Sequence, residues 1–244
     1  MASAKSTSAA GNSGSTGVPE LIWLRPERTG RGPTPAHSRE AIAAAAIALA
    51  DAEGIGAVAM RRVAASLGAG TMSLYNYVPK KEHLFDLMLD AIVGEYRIPD
   101  APSGDPRADL ALLAHEQLAV SRRHPWMVEL LVKRPSFGPN SLGVMEFFLA
   151  ALAGTDLDGS AKMEALSMLN GFVAQFAQWE RANAAPAGGE TWQADLIKYL
   201  YGVAASGNYP HLAATMAAGG PPLEPDAVFA RSLDRLLTVL LGPT

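Results

Sequence analysis

Residues 60–78 read MRRVAASLGAGTMSLYNYV, and this stretch decides the fold prediction. Apolar spacing predicts two short helices, over 60–67 and 70–77, with a break at Gly68. Glycine accepts the left-handed backbone of a tight turn, and the small Ala64 lets one helix approach the other. The pattern predicts a helix-turn-helix unit. An ordinary pair of antiparallel helices that turns at a glycine has the same spacing, so that alternative stays open.

The flanking segments predict two longer helices. One is predicted over 38–53, with Ser38 as its N-cap and Gly54 directly after its end. The other is predicted over 80–96, where apolar residues recur at full amphipathic helical spacing. Together these segments place four helices in a stretch of about 60 residues.

The run that begins at Ser38 and ends with LYNYVPKKEHL at 74–84 resembles the DNA-binding domain of the TetR family of transcriptional regulators. The resemblance implies a homodimer whose third helix enters the major groove of a double-stranded DNA operator. Hydroxyl and amide side chains on that helix suit contacts with base edges and phosphates. The residues that match by position are Thr71, Ser73, Tyr75 and Asn76 for the recognition helix, Arg61 for a phosphate contact, and Lys81 for a clamp at the fourth helix. Tyr77 is a further candidate for DNA binding.

Charge is distributed unevenly along the chain. The whole sequence has 20 basic and 24 acidic residues, a net charge of −4 that argues against a nucleic-acid binder. Up to Arg97, however, there are 10 basic and 9 acidic residues, whereas from Ile98 onward there are 10 and 15. The stretch 61–81 contains four basic residues and no acid. The acidity therefore belongs to the second part of the chain.

A basic arm precedes the helical unit and carries Arg28, Arg31 and Arg39 without an acid. Glycine and proline over 30–35 oppose helix formation there. Such arms contact the DNA backbone or the minor groove, and Arg28 and Arg31 are candidates for that role. A solvated linker that is merely basic is an equally open interpretation.

Residues 98–106 contain three prolines and a glycine and mark a domain boundary. The predicted division is a disordered or flexible tail over 1–27, a DNA-binding domain over 28–97 and a helical effector-binding and dimerisation domain over 98–244. Sustained strand alternation is absent from the sequence, so the predicted fold class is all-α. Helices of the second domain are predicted over 107–123, 125–132, 140–153, 159–182, 191–205 and 225–241.

The second domain also resembles, more diffusely, the regulatory domain of the tetracycline repressor, at Lys133-Arg134-Pro135 and Asn170-Gly171-Phe172. In that comparison Leu130 stands where a drug-contacting histidine is expected, and Arg97 lies near the place of another contact. The resemblance therefore implies a similar shape and a different effector. Sensing of tetracycline with magnesium is disfavoured.

Apolar stripes on helices 159–182 and 225–241 are candidates for the dimer interface, because in the resembled family two helices per subunit form a four-helix interface. A monomeric core is the alternative interpretation of the same stripes. The predicted interface residues are Leu169, Phe172, Phe176, Trp179, Phe229, Leu233, Leu236 and Leu240.

Large aromatic residues and methionines of the second domain are candidates for the lining of an effector cavity. The same residue types fill ordinary cores, so that interpretation stays open for each of them. The predicted effector is a small, largely apolar molecule. The candidate residues are Trp126, Met127, Leu130, Arg134, Phe147, Phe148, Met163, Leu166 and Asn170.

Several chemistries lack the residues they need in this sequence. There is no cysteine, which excludes disulfides, thiolate metal sites and cysteine nucleophiles. The five histidines lack metal-ligand spacing, and neither a dinucleotide loop nor a nucleophile elbow is present. The longest apolar run, over 41–50, is half the length a bilayer requires, and 1–17 has no secretory signal. The sequence thus predicts a cytoplasmic protein without membrane contact, enzymatic activity, cofactor or metal.

The predicted function is a ligand-responsive, homodimeric transcriptional regulator that binds a pseudo-palindromic operator, a repressor rather than an activator. One alternative is a helical small-molecule-binding protein or enzyme whose helix-turn-helix is only architectural. Another is a regulator that answers to a protein partner, which the lack of a cavity in the second domain would favour.

Overall fold

The structure, a computed structural model, describes residues 21–26, 37–133, 137–184, 189–220 and 224–242. Within these ranges the chain is helical and contains no strand, which confirms the predicted all-α class. No helix in them has the length and apolar character needed to cross a bilayer. The helices are α1 Arg39–Glu53, α2 Met60–Ser66, α3 Thr71–Tyr75, α4 Lys81–Val93, α5 Pro106–Arg123, α6 Met127–Lys133, α7 Pro139–Ala151, α8 Gly159–Ala184, α9 Gly189–Ala205, α10 Pro210–Ala218 and α11 Pro225–Leu241.

The predicted start and end of α1 agree with the structure, because capping residues define both. The Ser38 side chain accepts a hydrogen bond of 3.0 Å from the Ala41 amide, so it caps α1 as expected. Gly54 follows the helix with φ of +82°, a conformation that favours glycine. The helix α10, Pro210–Ala218, lies between the helices predicted over 191–205 and 225–241 and was not predicted.

The prediction of a disordered or flexible tail through residue 27 is wrong for residues 21–26. A 3-10 helix spans Ile22–Leu24, and the Ile22 side chain is fully buried in the core of the first four helices. The prediction extended the polar composition of 1–17 too far along the chain, since Ile22 and Trp23 are apolar enough to pack. Residues 1–20 and 27–36 lie outside the described ranges.

Two buried cores organise the molecule, and α4 connects them. The first core joins α1 to α4 and continues into Trp126, Met127 and Leu130 of the second predicted domain. The second core lies among α5, α7, α8 and α11, around Phe148 and Phe229. Because α4 packs on both α1 and α7, a shift of one core relative to the other must involve α4.

Candidate DNA-binding surface and effector cavity

The segment α2–turn–α3 has the geometry that its sequence predicts. Gly68 has φ of +64° in the turn, and the Ala69 amide donates to the Ala64 carbonyl over 2.8 Å. Val63 and Leu74 are fully buried between the helices, so they fix the angle at which α3 leaves the turn. This packing orients the opposite face of α3 toward solvent.

The solvent face of α3 brings the predicted recognition residues together. Tyr75 is 39% exposed and Asn76 is exposed, while Thr71, Ser73 and Tyr77 are half-buried. Their hydroxyl, phenol and amide groups lie within about two helical turns, which is the reach of a few base pairs. Met72, which was not among the predicted residues, is 77% exposed on the same helix. An exposed methionine at this place offers an apolar contact for a thymine methyl group.

Cations lie on both sides of α3. Arg61 is exposed at the start of α2, and Lys81 is exposed at the start of α4, with its ammonium 5.1 Å from the centroid of the Phe85 ring. Arg62 instead pairs with Glu53 at 2.5 Å, and this hydrogen bond lowers the pKa of Glu53. Arg61 and Lys81 are thus exposed cations on the helices before and after α3, and contact with phosphates remains the role predicted for them.

A further cation reaches the end of α3 from the segment that the sequence analysis treated as tail. The Arg25 guanidinium donates to the Asn76 carbonyl over 2.8 Å, and Arg39 donates to the Arg25 carbonyl over 2.9 Å. No local pattern could have found this contact, because Arg25 and Asn76 are 51 residues apart. The predicted arm residues Arg28 and Arg31 lie outside the described residues.

A cavity of about 400 Å³ lies in the second domain, between α4, α5, α6, α7 and α8. Of the predicted lining residues, Met127, Met163, Leu166 and Asn170 do line it. The exposed Phe137 lies at its wall as well. Among the described lining residues none carries a charge, and most are apolar, so the cavity suits an uncharged apolar molecule.

Four other predicted lining residues do not reach this cavity. Leu130 packs in the first core and Phe148 in the second, and Phe147 is buried without lining the cavity. Trp126 is buried in the first core and donates from its indole nitrogen to the Asp51 carboxylate over 2.7 Å. Residue type alone could not separate cavity from core, and here the core interpretation was the right one. Arg134 lies outside the described residues.

The cavity wall is joined to α4 by a buried carboxylate. Asp90 of α4 is 4% exposed and accepts hydrogen bonds from the Ser141 amide at 2.8 Å and the Ser141 hydroxyl at 2.9 Å. It thereby caps the amino terminus of α7, where a negative charge is stabilised. A Cβ atom on Gly138 would overlap the Asp90 carboxyl group, so glycine is needed for this approach. Ser141 also lines the cavity.

A second junction joins the two domains at the residues that follow α4 and α5. His124, 7% exposed, lies 2.8 Å from the Asp51 carboxylate of α1 and 3.1 Å from the Glu95 carboxylate. Arg123 also bonds Glu95, at 2.8 Å. Because Asp51 belongs to the first four helices and His124 to the second domain, the two parts are held together by charged and polar contacts as well as by the shared core.

The predicted interface residues, except Trp179, face the core of their own chain. Phe229 packs on the Phe172 and Phe176 rings, at centroid distances of 5.3 and 4.9 Å. The interface prediction is wrong for Leu169, Phe176, Phe229 and Leu233, which are all at most 7% exposed. Phe172, Leu236 and Leu240 are half-buried against the same core, and Trp179 is 44% exposed. An apolar stripe looks the same whether it faces its own domain or a partner, so sequence spacing could not distinguish the two.

An exposed stripe lies beside the buried one on α8 and runs through Met168, Gly171, Gln175 and Trp179. Farther along the chain, α9 and α10 pack on one another and leave large apolar side chains exposed. An open groove of about 580 Å³ lies along α9 and the loop 206–209 that follows it. The exposed side chains include Trp192, Ile197, Tyr199, Tyr201 and Tyr209, each more than half exposed. Contiguous apolar surface of this kind marks a site of protein association.

The α2–turn–α3 unit has a polar face with cations on the neighbouring helices, and α4 joins this unit to a helical domain with an apolar cavity. These features define a helix-turn-helix DNA-binding protein with a separate ligand-binding domain. Comparison with known protein families identifies the chain more specifically. Residues 42–88 match the family described as bacterial regulatory proteins, tetR family, and residues 98–240 match the tetracyclin repressor-like C-terminal domain.

Among curated proteins, the chain is 39% identical over 217 residues to the HTH-type transcriptional repressor DrrR1 of Streptomyces coeruleorubidus, which covers 86% of this chain and 80% of that protein. It is 35% identical over 159 residues to an HTH-type transcriptional regulator of Saccharopolyspora erythraea, with 65% and 67% covered. Apo ActR from Streptomyces coelicolor superposes with a TM-score of 0.73 at 25% identity, covering 86% of this chain and 98% of that one. ActR in complex with actinorhodin gives 0.72 at 26% identity, with 84% and 97% covered.

The chain therefore belongs to the TetR family of bacterial regulatory proteins. The predicted class, a ligand-responsive, DNA-binding transcriptional regulator, is confirmed at the level of the family. The roles of individual side chains at the DNA and in the cavity stay predictions.

Proposed function

We propose that the protein is a homodimeric repressor that binds a pseudo-palindromic DNA operator through α3 and leaves it when a small, uncharged, largely apolar effector enters the cavity. The observation that carries this proposal is the polar face of α3, held outward by Val63 and Leu74 and flanked by Arg61 and Lys81. Two such faces, about 34–36 Å apart in a symmetric dimer, match successive major grooves. In this role Tyr75 and Asn76 contact base edges, while Arg61 and Lys81 contact phosphates.

The named relatives support the sign of regulation and the kind of effector. DrrR1 is a transcriptional repressor, and ActR binds actinorhodin. A cavity of about 400 Å³ without a charged residue among its described lining suits an uncharged polycyclic molecule. Its presence also disfavours a regulator that answers only to a protein partner.

The exposed surface of the second domain supports a homodimer. The α8 stripe through Met168, Gly171 and Trp179 offers a helix face with a small residue at its centre, which lets a second helix approach closely. The apolar side chains of α9 and α10 extend this surface, and a second copy of the chain would bury them. A symmetric interface is also what positions two α3 helices for a pseudo-palindrome.

The coupling between cavity and DNA runs through α4. Ser141 lines the cavity and bonds Asp90, and α4 carries Asp90 at one end and Lys81 at the other. An effector that displaces the start of α7 shifts α4 with it, because the buried carboxylate cannot lose its partners without a free-energy cost. The effector then favours the dimer whose two α3 helices are wrongly spaced for DNA.

Fluorescence anisotropy with DNA fragments from the neighbourhood of the gene tests the proposal. We expect saturable binding whose affinity falls about a thousandfold or more between about 50 and 200 mM salt, because several phosphates are contacted. Light scattering should give twice the 25.6 kDa mass of one chain. Failure to bind any such fragment at low salt would favour the alternative, a helical binding protein or enzyme with an architectural helix-turn-helix.

A further inference from the structure

One side chain in the cavity differs from its neighbours. Gln117 of α5 is 5% exposed and lines the cavity. In the described part of the chain its carboxamide makes no hydrogen bond, although a carboxamide has two donors and an acceptor. The amide atoms are accessible from the cavity, so a ligand that binds there can complete their hydrogen bonds.

Two hydroxyl groups of the cavity already form hydrogen bonds within the chain. The Ser141 hydroxyl donates to Asp90 at 2.9 Å, and the Ser167 hydroxyl donates to the Met163 carbonyl at 3.0 Å. Asn170 is exposed, so water competes for its amide. Burial, together with the nearby Glu116 charge, raises the pKa of Tyr96 and keeps its phenol neutral. Gln117 is therefore the buried amide that can contribute most to ligand selection.

We infer that Gln117 determines effector specificity, and that the effector is an uncharged polycyclic molecule with a carbonyl oxygen beside an N–H or O–H group on one edge. The inference rests on the proposed role of the cavity as the effector site. The carboxamide presents its N–H and its oxygen on the same planar edge, so a ligand edge with the complementary pair accepts one hydrogen bond and donates another. A ligand without these groups leaves the amide unpaired, which is how a polar site rejects an apolar analogue.

The test uses two probes of the same outline, the tricyclic lactam phenanthridinone and the hydrocarbon phenanthrene, titrated into the full chain with fluorescence detection. In the Gln117→Met variant, which keeps the length of the side chain, we expect lactam affinity to fall at least tenfold. Phenanthrene affinity should stay the same or rise. Asn170→Leu is the matched control, since it removes an exposed amide from the same cavity, and its lactam affinity should fall less than about threefold.

Unchanged lactam affinity in Gln117→Met, an equal or larger loss in Asn170→Leu, or no saturable lactam binding to the unmodified chain would each overturn the assignment. Helical content by circular dichroism shows that the variants are folded. DNA affinity of the same preparations separates the two claims. If DNA binding persists while the lactam result fails, the assignment of Gln117 is wrong and the proposed regulator function stands; if the unmodified chain binds no DNA, the proposed function fails.

Discussion

The unit over 60–81 and the paired helices α8 and α11 both present apolar stripes, yet only in the first does the sequence say which side faces inward. In the first unit a glycine turn joins two short helices, and Val63 and Leu74 are buried between them in the core that α1 and α4 complete. In the second, α8 is 26 residues long and has a core on one side and an exposed stripe on the other. When a helix is short and its packing partners are near in the sequence, the sequence predicts which face is buried. When a helix is long and its partners are distant in the sequence, the sequence alone does not determine that face.

The largest expected change in stability distinguishes a core residue of α11 from a surface residue of α8. Phe229→Ala removes a fully buried ring that packs on Phe172 and Phe176, so we expect the free energy of unfolding to fall by about 3–5 kcal/mol. Trp179→Ala, at an exposed position, should change it by less than about 0.5 kcal/mol and weaken dimerisation by about 2 kcal/mol. Urea unfolding and light scattering measure the two quantities. An unfolding free energy that is unchanged in Phe229→Ala would restore the interface assignment.

The next effect concerns the junction between α4 and α7. Gly138→Ala places a methyl group against the Asp90 carboxyl and the Trp23 ring, and it should lower the free energy of unfolding by about 1–3 kcal/mol. The control is Gly143→Ala within α7, where a new Cβ meets nothing, and it should stabilise the chain by about 0.5–1 kcal/mol. Thermal denaturation of both variants measures the two changes in stability. Equal shifts would mean that the close approach at Asp90 has no role in stability.

A smaller effect is expected at α3 itself, where stability should not change. Tyr75→Ala removes a 39% exposed ring from the recognition face, and we expect operator affinity to fall about tenfold, or about 1.4 kcal/mol. Tyr75→Phe should lose less, because it keeps the ring. Anisotropy titrations measure the affinities, and an unchanged affinity in Tyr75→Ala would remove Tyr75 from the DNA interface.

The smallest effect should appear at Lys81, in the salt dependence of DNA binding. Lys81→Ala removes one phosphate contact at the start of α4, so the slope of log affinity against log salt should become shallower by about 1. Lys198→Ala, an exposed lysine on α9, serves as the control and should leave the slope unchanged. Identical slopes in both variants would contradict the clamp assigned to Lys81.

Sequence reasoning reached the fold class, the helix-turn-helix and its polar face because each depends on residues within a few turns of one another. Ser38 and Gly68 are examples, since cap and turn chemistry act locally. The contact of Arg25 with Asn76 and the burial of Ile22 depend on partners far along the chain. For the same reason, only some of the residues that line the cavity could be predicted from the sequence. Leu166 and Phe148 are both buried apolar residues, and the arrangement of five helices decides that only Leu166 lines it.

Selection of binding sites from a random pool of double-stranded DNA with the full chain tests the central claim most directly. We expect enrichment of a pseudo-palindrome whose half-sites are about one helical turn apart, and a loss of that enrichment with Tyr75→Ala. A pool that stays random, or a motif that Tyr75→Ala leaves unchanged, would contradict the claim that two α3 helices read the operator.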